Sequence, residues 1–207
     1  MVLVRLLDPD PVVREAAAKD ALREVTHQNT VYEATVPVAL YVAAVLDHPA
    51  VVAGGWSTVV GLLDWLGSTA YDADDACVAI AGGEYEGMRA FRQVRPAIFS
   101  AVRPHLGHAD ADVRDAALIA ALPLAEHPVL AVHRGELADH ARRSLATSAD
   151  RRHRDRVLDA LRSWGHDISG LENAADIAAR ELRARRRAER ASWADDRTGG
   201  YSADPPF

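Results

Sequence analysis

An internal repeat constrains the fold of this 207-residue chain more than any other feature of its sequence. Residues 6–22 read LLDPDPVVREAAAKDAL, residues 106–122 read LGHADADVRDAALIAAL, and eight positions are identical. Two fainter copies begin at residues 46 and 145, so successive copies start 40, 60 and 39 residues apart. A period near 40 residues is typical of proteins built from stacked helix pairs.

Each copy predicts the end of one helix, a short loop and the start of the next helix. Asp10 and Asp110 stand where a carboxylate can cap the first backbone N–H groups of that helix. Pro11 occupies the first helical position, where its missing N–H costs nothing. Apolar residues then return at helical spacing, which predicts one buried stripe in each copy. We expect six side chains to be buried there: Val13, Ala17, Leu22, Val113, Ala117 and Leu122.

The same signals predict the remaining helices and the domain organisation. Helices are expected over residues 36–47, 56–68, 72–81, 88–106, 129–146, 150–164 and 171–193. Pro96 is expected to restart or kink the fourth of these helices. Glycines punctuate the long interval between the second and third copies, which predicts an irregular middle. The prediction is an all-α fold of about four helix pairs in one domain, residues 1–194, whose first repeat lacks its opening helix. Residues 195–207 lack periodicity and are expected to form a disordered tail.

Three segments carry a resemblance to a known family. Residues 8–17 read DPDPVVREAA, residues 27–32 read HQNTVY, and residues 164–167 read WGHD. Together they resemble a branch of bacterial HEAT-repeat domain proteins, except that Asn29 stands where that branch has glycine. The resemblance covers roughly residues 1–170 and implies a HEAT-like (armadillo-like) α-solenoid. It implies no established activity.

Composition narrows the class of protein. Aromatic residues make up only 6% of the chain, so the core must consist mainly of Ala, Leu and Val. Cys77 is the only cysteine, which excludes an internal disulfide framework. No apolar run reaches the ~18 residues that suggest a membrane span, and the N-terminus lacks a signal-peptide pattern. The expectation is a cytoplasmic protein with no membrane partner.

Charge is unevenly distributed along the chain. Residues 1–133 carry 9 basic and 17 acidic side chains, whereas residues 134–197 carry 15 and 12. The arginines of the second region are candidates for binding a polyanion. Interleaved acids also allow helical ion pairs and an ordinary solvated surface. The candidate interaction residues here are Arg142, Arg143, Arg151, Arg152, Arg154 and Arg156.

The loop between the first two helices holds the least generic polar residues. His27, Gln28, Asn29 and Tyr32 are candidates for a recognition patch. The alternative is a fixed inter-helix loop in which Asn29 adopts left-handed geometry, Thr30 caps, and Tyr32 packs with its hydroxyl on a backbone partner.

Other reactive side chains have structural explanations. Asp72, Asp74 and Asp75 are expected to cap the helix that carries Cys77, and Cys77 itself to be a small buried hydrophobe. His105 and His108 lack a recognised metal-binding pattern. No catalytic residue, cofactor or metal ion is therefore predicted.

The leading functional hypothesis is a non-enzymatic scaffold that binds a protein partner through the face of the solenoid. One alternative is a nucleic-acid-binding protein or an enzyme similar to the alkylpurine DNA glycosylases, which need a basic groove, aromatic residues and a catalytic acid. The acidic residues 1–133 argue against it. A further alternative is an accessory or immunity factor for a partner enzyme or toxin.

Overall fold

The computed structural model describes residues 3–24, 26–27, 30–53, 55–74, 78 and 83–198. The chain forms two compact units, and the boundary between them lies after His166. The helices of the first unit are α1 (Pro11–Glu24), α2 (Thr35–Val45), α3 (Pro49–Ala53), α4 (Trp56–Asp72), α5 (Glu86–Val102), α6 (Ala111–Leu124), α7 (Arg134–Thr147) and α8 (Arg151–Ser163). Short 3-10 helices span Leu3–Leu7, Arg103–Gly107 and Pro128–His133. The all-α prediction is confirmed.

A small hairpin between α1 and α2 departs from helical structure. Strands β1 (Thr26–His27) and β2 (Thr30–Val31) pair antiparallel, with Thr26 opposite Val31 and His27 opposite Thr30. The β-branched side chains at three of these four positions favour extended backbone. A pairing of this length leaves the fold class unchanged.

The two strong repeat copies have the same local structure. In each, a 3-10 helix ends, a short loop follows and a capped α-helix begins. The Asp10 carboxylate accepts the N–H of Val12 at 2.9 Å. The Asp110 carboxylate accepts the N–H groups of Asp112 and Val113 at 2.9 and 3.3 Å. Both predicted caps are therefore confirmed.

Burial follows the predicted stripe with one exception. Ala17, Leu22, Val113, Ala117 and Leu122 are buried, whereas Val13 is only half-buried. The prediction for Val13 was wrong because α1 packs on only a few elements, chiefly Leu3–Leu7 and α4. Helix α6, by contrast, packs against α4, α5, α7 and α8.

The two faint copies differ from the strong copies in how much of the local structure they keep. The copy that starts at residue 46 has Ala50 where the strong copies have their capping aspartate, and it forms only the five-residue helix α3. The copy that starts at residue 145 retains its cap, because the Asp150 carboxylate accepts the N–H groups of Arg152 and His153 at 2.7 and 3.0 Å.

Helix α4 is the element that positions the candidate site. It packs on α6 at Gly67, where an added Cβ would lie 2.9 Å from the Cα of Ala120. The buried guanidinium of Arg95 donates from Nη2 to the carbonyls of Ala70 and Ala73, at 3.1 and 2.8 Å. These bonds satisfy carbonyl groups at the end of α4 that have no partner within the helix.

Several predicted boundaries were wrong. Helix α4 continues to Asp72, four residues beyond its predicted end at Ser68. Asp72 therefore ends a helix, and the prediction that a helix begins at Asp72 is wrong. Asp75 and Cys77 lie outside the described residues. Pro96 lies inside α5 without restarting it. In place of the predicted helix 129–146, the chain forms the 3-10 helix Pro128–His133, followed directly by α7, which begins at Arg134.

The second unit consists of a short turn region and α9 (Ala174–Thr198). Asn173 and Asp176 form a reciprocal capping box, each accepting the backbone N–H of the other at 2.9 Å. This cap starts the helix three residues after the predicted Leu171. The helix also passes the predicted domain end at residue 194, since residues 195–198 continue its backbone. Residues 199–207 lie outside the described part of the chain. None of the helices in the described ranges combines the length with the apolar character that a membrane span requires.

Candidate functional site

A groove of about 870 Å³ is formed by α4, α6 and the N-terminal half of α8. We call it the central groove. Ser57, Gly61, Asp64 and Ser68 line it from α4, where their spacing places them on one helical face. The opposite side of α4 is buried through leucines at 62, 63 and 66. The remaining polar lining residues are Asp110, Asp112, Asp115, Ser148, Asp150, Arg152, His153 and Arg156.

Two of the groove carboxylates are committed to helix caps. Asp110 and Asp150 accept backbone N–H groups at the first turns of α6 and α8. The hydrogen bond from the backbone of His153 is the main cause that lowers the pKa of Asp150. Each carboxylate also interacts favourably with the positive end of its helix. These two acids therefore have structural roles.

Asp115, Ser144 and His153 form a polar network that joins α6, α7 and α8. The buried Ser144 hydroxyl donates to the Asp115 carboxylate at 2.9 Å, and its Oγ lies 2.6 Å from His153 Nε2. Burial lowers the pKa of His153, against the attraction of Asp115. With the hydroxyl proton directed to Asp115, the contact is satisfied by the His153 tautomer that is protonated at Nε2 and donates to Oγ. In that tautomer His153 donates to Ser144, which is the reverse of the hydrogen bond in a nucleophile–base pair.

Two further carboxylates on α4 lie in partly dehydrated positions. Burial raises the pKa of Asp64, and the nearby charges of Arg156 and His153 oppose that shift. Burial also raises the pKa of Asp72 to about 6, against the attraction of Arg156. Helix α8 thus supplies, through Arg156, the charge that most strongly opposes the raised pKa of both acids.

In three of the repeat copies, the arginine four residues after the capping aspartate has a structural role. Arg14 Nη1 donates to the carbonyls of Asp8 and Pro9, in the loop before α1. Arg114 Nη1 donates to those of His108 and Ala109, both at 2.7 Å.

Arg154 repeats this arrangement in the fourth copy. Its buried Nη1 donates to the carbonyls of Leu145 and Ser148. In three copies, therefore, this arginine ties its helix to the segment that precedes it, by donating to backbone carbonyls of that segment. The sequence contains this D-x-x-x-R pattern at residues 10–14, 110–114 and 150–154, so the pattern could have predicted the role of Arg154.

The other predicted arginines do not form one basic face. Arg152 and Arg156 line the central groove, and the Arg156 guanidinium lies 5.0 Å from the ring centroid of Tyr71. Arg142 pairs with Asp139 at 3.0 Å. Arg143 lines a separate cavity of about 420 Å³, and Arg151 is exposed on the first turn of α8.

The predicted loop patch is described only in part. His27 belongs to β1, but its side chain lies outside the described residues, as do Gln28 and Asn29. Tyr32 is exposed, so the interpretation in which Tyr32 packs is wrong. The backbone contact comes from Tyr85, whose hydroxyl accepts the N–H of Val31 at 2.8 Å. The Thr35 hydroxyl accepts the N–H of Tyr32 at 2.9 Å.

The histidine pair considered for metal binding lies at the end of the 3-10 helix that precedes α6. The rings of His105 and His108 have centroids 6.4 Å apart. Within the described ranges, no group of three or more His, Cys, Asp or Glu side chains could hold a metal ion.

No protein-family model, curated protein or solved structure matches this chain.

Proposed function

We propose that this chain is a non-enzymatic protein-interaction module, and that the central groove is where its partner binds. In this proposal α1, α4, α6 and α8 form one layer of a HEAT-like solenoid of about four helix pairs. Contacts between consecutive members of that layer support it, as do the contacts of α2 with α5 and of α7 with α8. Stacked helix pairs create extended concave surfaces that suit protein partners. The proposed location is the cytoplasm.

The charge of the groove is the observation that carries this proposal. Five aspartates and two arginines line it. A nucleic acid would bring its phosphates towards an excess of carboxylates, and phosphate contacts supply most non-specific affinity for DNA. A basic protein surface, by contrast, complements this lining. The same groove would suit an accessory or immunity factor that covers the basic site of an enzyme or toxin.

The chemistry of the buried network supports a role in binding. Ser144 is buried and shared between Asp115 and His153. These three side chains satisfy one another, which rigidifies the junction of α6, α7 and α8. A rigid junction favours recognition, because less conformational entropy is lost when the partner binds.

A matched pair of glycine substitutions tests the proposal. Gly61 lines the groove and Gly135 lies on the surface of α7; an added Cβ has no neighbour within 4 Å at either position. Gly61→Trp should fill the groove without disturbing the backbone, and Gly135→Trp should leave it open. Each protein is used as bait in a lysate of the native host, at low and at high salt.

We expect wild type and Gly135→Trp to retain one stoichiometric protein, and Gly61→Trp to lose it. Salt should weaken the complex, since exposed charges are screened beyond about 8 Å at physiological ionic strength. Equal retention by all three baits contradicts the assignment to the groove. Release of alkylated bases from duplex DNA, abolished by Asp64→Asn, would establish the glycosylase alternative instead.

A further inference from the structure

Some carboxylates of the central groove already accept hydrogen bonds within the protein, and others do not. Asp110 and Asp150 cap helices, and Asp115 accepts the Ser144 hydroxyl. Within the described residues, the Asp64 and Asp112 carboxylates make no hydrogen bond or ion pair. The groove therefore offers two acceptors that a partner could use.

The opposite wall of the groove offers a donor. The Arg152 guanidinium likewise makes no hydrogen bond or ion pair with the described residues, whereas Arg156 lies over the ring of Tyr71. Arg152 and Arg156 are four residues apart on α8, so both side chains reach the same side of that helix. One wall, from α4 and α6, is thus acidic, whereas the other, from α8, carries Arg152 and Arg156 together with the capping Asp150.

Asp64 has the surroundings of a binding anchor. Its neighbours on the same face of α4 are Ser57, Gly61 and Ser68, whose small side chains leave room for a close approach. Its pKa is raised because burial outweighs the attraction of Arg156 and His153. The ionised carboxylate therefore lacks a full counter-charge, and a cation from a partner would supply it.

We propose that the central groove binds a segment of a partner protein that presents an arginine or lysine to Asp64 and Asp112 and a carboxylate to Arg152. This inference rests on the proposed function and names the partner chemistry of the same groove. Charge complementarity between the two walls and such a segment is its basis. The direction of the segment is fixed as well, since its cation must face α4 and its anion α8.

Binding of labelled peptides tests this pattern without knowledge of the partner. Three fluorescein-labelled alanine-based peptides of equal length carry arginine only, glutamate only, or both, and fluorescence anisotropy reports their binding to the full chain. We expect the mixed peptide to bind most tightly, the arginine peptide less tightly and the glutamate peptide not at all. Asp64→Asn should weaken the arginine peptide about tenfold, as loss of a partly desolvated charge pair does.

A charge reversal keeps the test decisive. Asp64→Arg combined with Asp112→Arg should reverse the preference towards the glutamate peptide, and Asp139→Asn, outside the groove, should change nothing. Melting curves of each variant verify folding. Equal binding of the arginine peptide to wild type and Asp64→Asn, or no binding of any peptide, overturns the inference.

The two proposals can fail separately. If Gly61→Trp loses the lysate partner while Asp64→Asn retains it, the groove binds a partner of different chemistry and only this inference fails. If Gly61→Trp also retains the partner, the proposed function fails as well.

Discussion

Two glycines of α4 should respond oppositely to the same substitution. Both lie inside the helix, where alanine is favoured over glycine by about 1 kcal/mol. An added Cβ at Gly61 meets nothing within 4 Å. At Gly67 it would lie 2.9 Å from the Cα and 3.2 Å from the backbone nitrogen of Ala120, and backbone atoms cannot rotate away.

The difference between the two variants measures how closely α4 and α6 approach. Gly61→Ala should raise the free energy of unfolding by about 0.5–1 kcal/mol. Gly67→Ala should combine that gain with an overpacking cost of about 1–3 kcal/mol, for a net loss of up to about 2 kcal/mol. For a chain of this length, 1 kcal/mol corresponds to about 2–4 °C in Tm. The two variants should therefore differ by several degrees.

Thermal and urea unfolding followed by circular dichroism at 222 nm give both quantities. The midpoints should rank Gly61→Ala above wild type and wild type above Gly67→Ala, with m-values unchanged. Equal stabilisation by both substitutions would refute the reasoning, because it would mean that α4 and α6 do not meet at Gly67.

Three further predictions concern caps, loop closure and pH. Asp10→Ala and Asp110→Ala should each lower the free energy of unfolding by about 1 kcal/mol, the usual loss for a cap, and a melt unchanged by both together contradicts this. Arg154→Met should lower the free energy of unfolding in urea by about 2–3 kcal/mol, because it leaves the carbonyls of Leu145 and Ser148 without their donor. A loss below about 0.5 kcal/mol would contradict a structural role for these bonds. Asp72 has a folded-state pKa of about 6, above its ordinary value, so its ionisation destabilises the fold as pH rises from about 4 through 6. Asp72→Asn should therefore stabilise the protein by about 1–2 kcal/mol at pH 8, after discount for partial exposure, and hardly at all at pH 4. Asp139→Asn, at an exposed ion pair, should change stability by less than about 0.5 kcal/mol at both pH values, and identical pH responses of the two variants would contradict the raised pKa.

The elements that sequence predicts well here depend on local signals. The caps at Asp10 and Asp110 follow from residue type and position, since the bond joins a side chain to a backbone group two residues away. The burial of Val113 and Ala117 follows from helical periodicity. Both features repeat in the sequence, so each copy supports the other.

The features that were not predicted from the sequence depend on contacts that form only in the folded chain. Arg154 looks like a surface charge in a basic run, and only the folded loop brings the carbonyl of Leu145 to its guanidinium. The bond from Ser144 to Asp115 spans 29 positions and has no periodic signal. The raised pKa of Asp72 arises mainly from burial, and that burial cannot be predicted from any single residue of the sequence.

Photo-crosslinking within the native host tests the central claim most directly. A diazirine-bearing side chain of leucine size, too small to fill the groove as tryptophan does, is introduced at Gly61, in the groove, and separately at Gly135, on the surface of α7. We expect irradiation to join the Gly61 variant to one protein, through a peptide that carries basic residues, and to leave the Gly135 variant without that product. A crosslink to the same protein from Gly135 but none from Gly61 would contradict it.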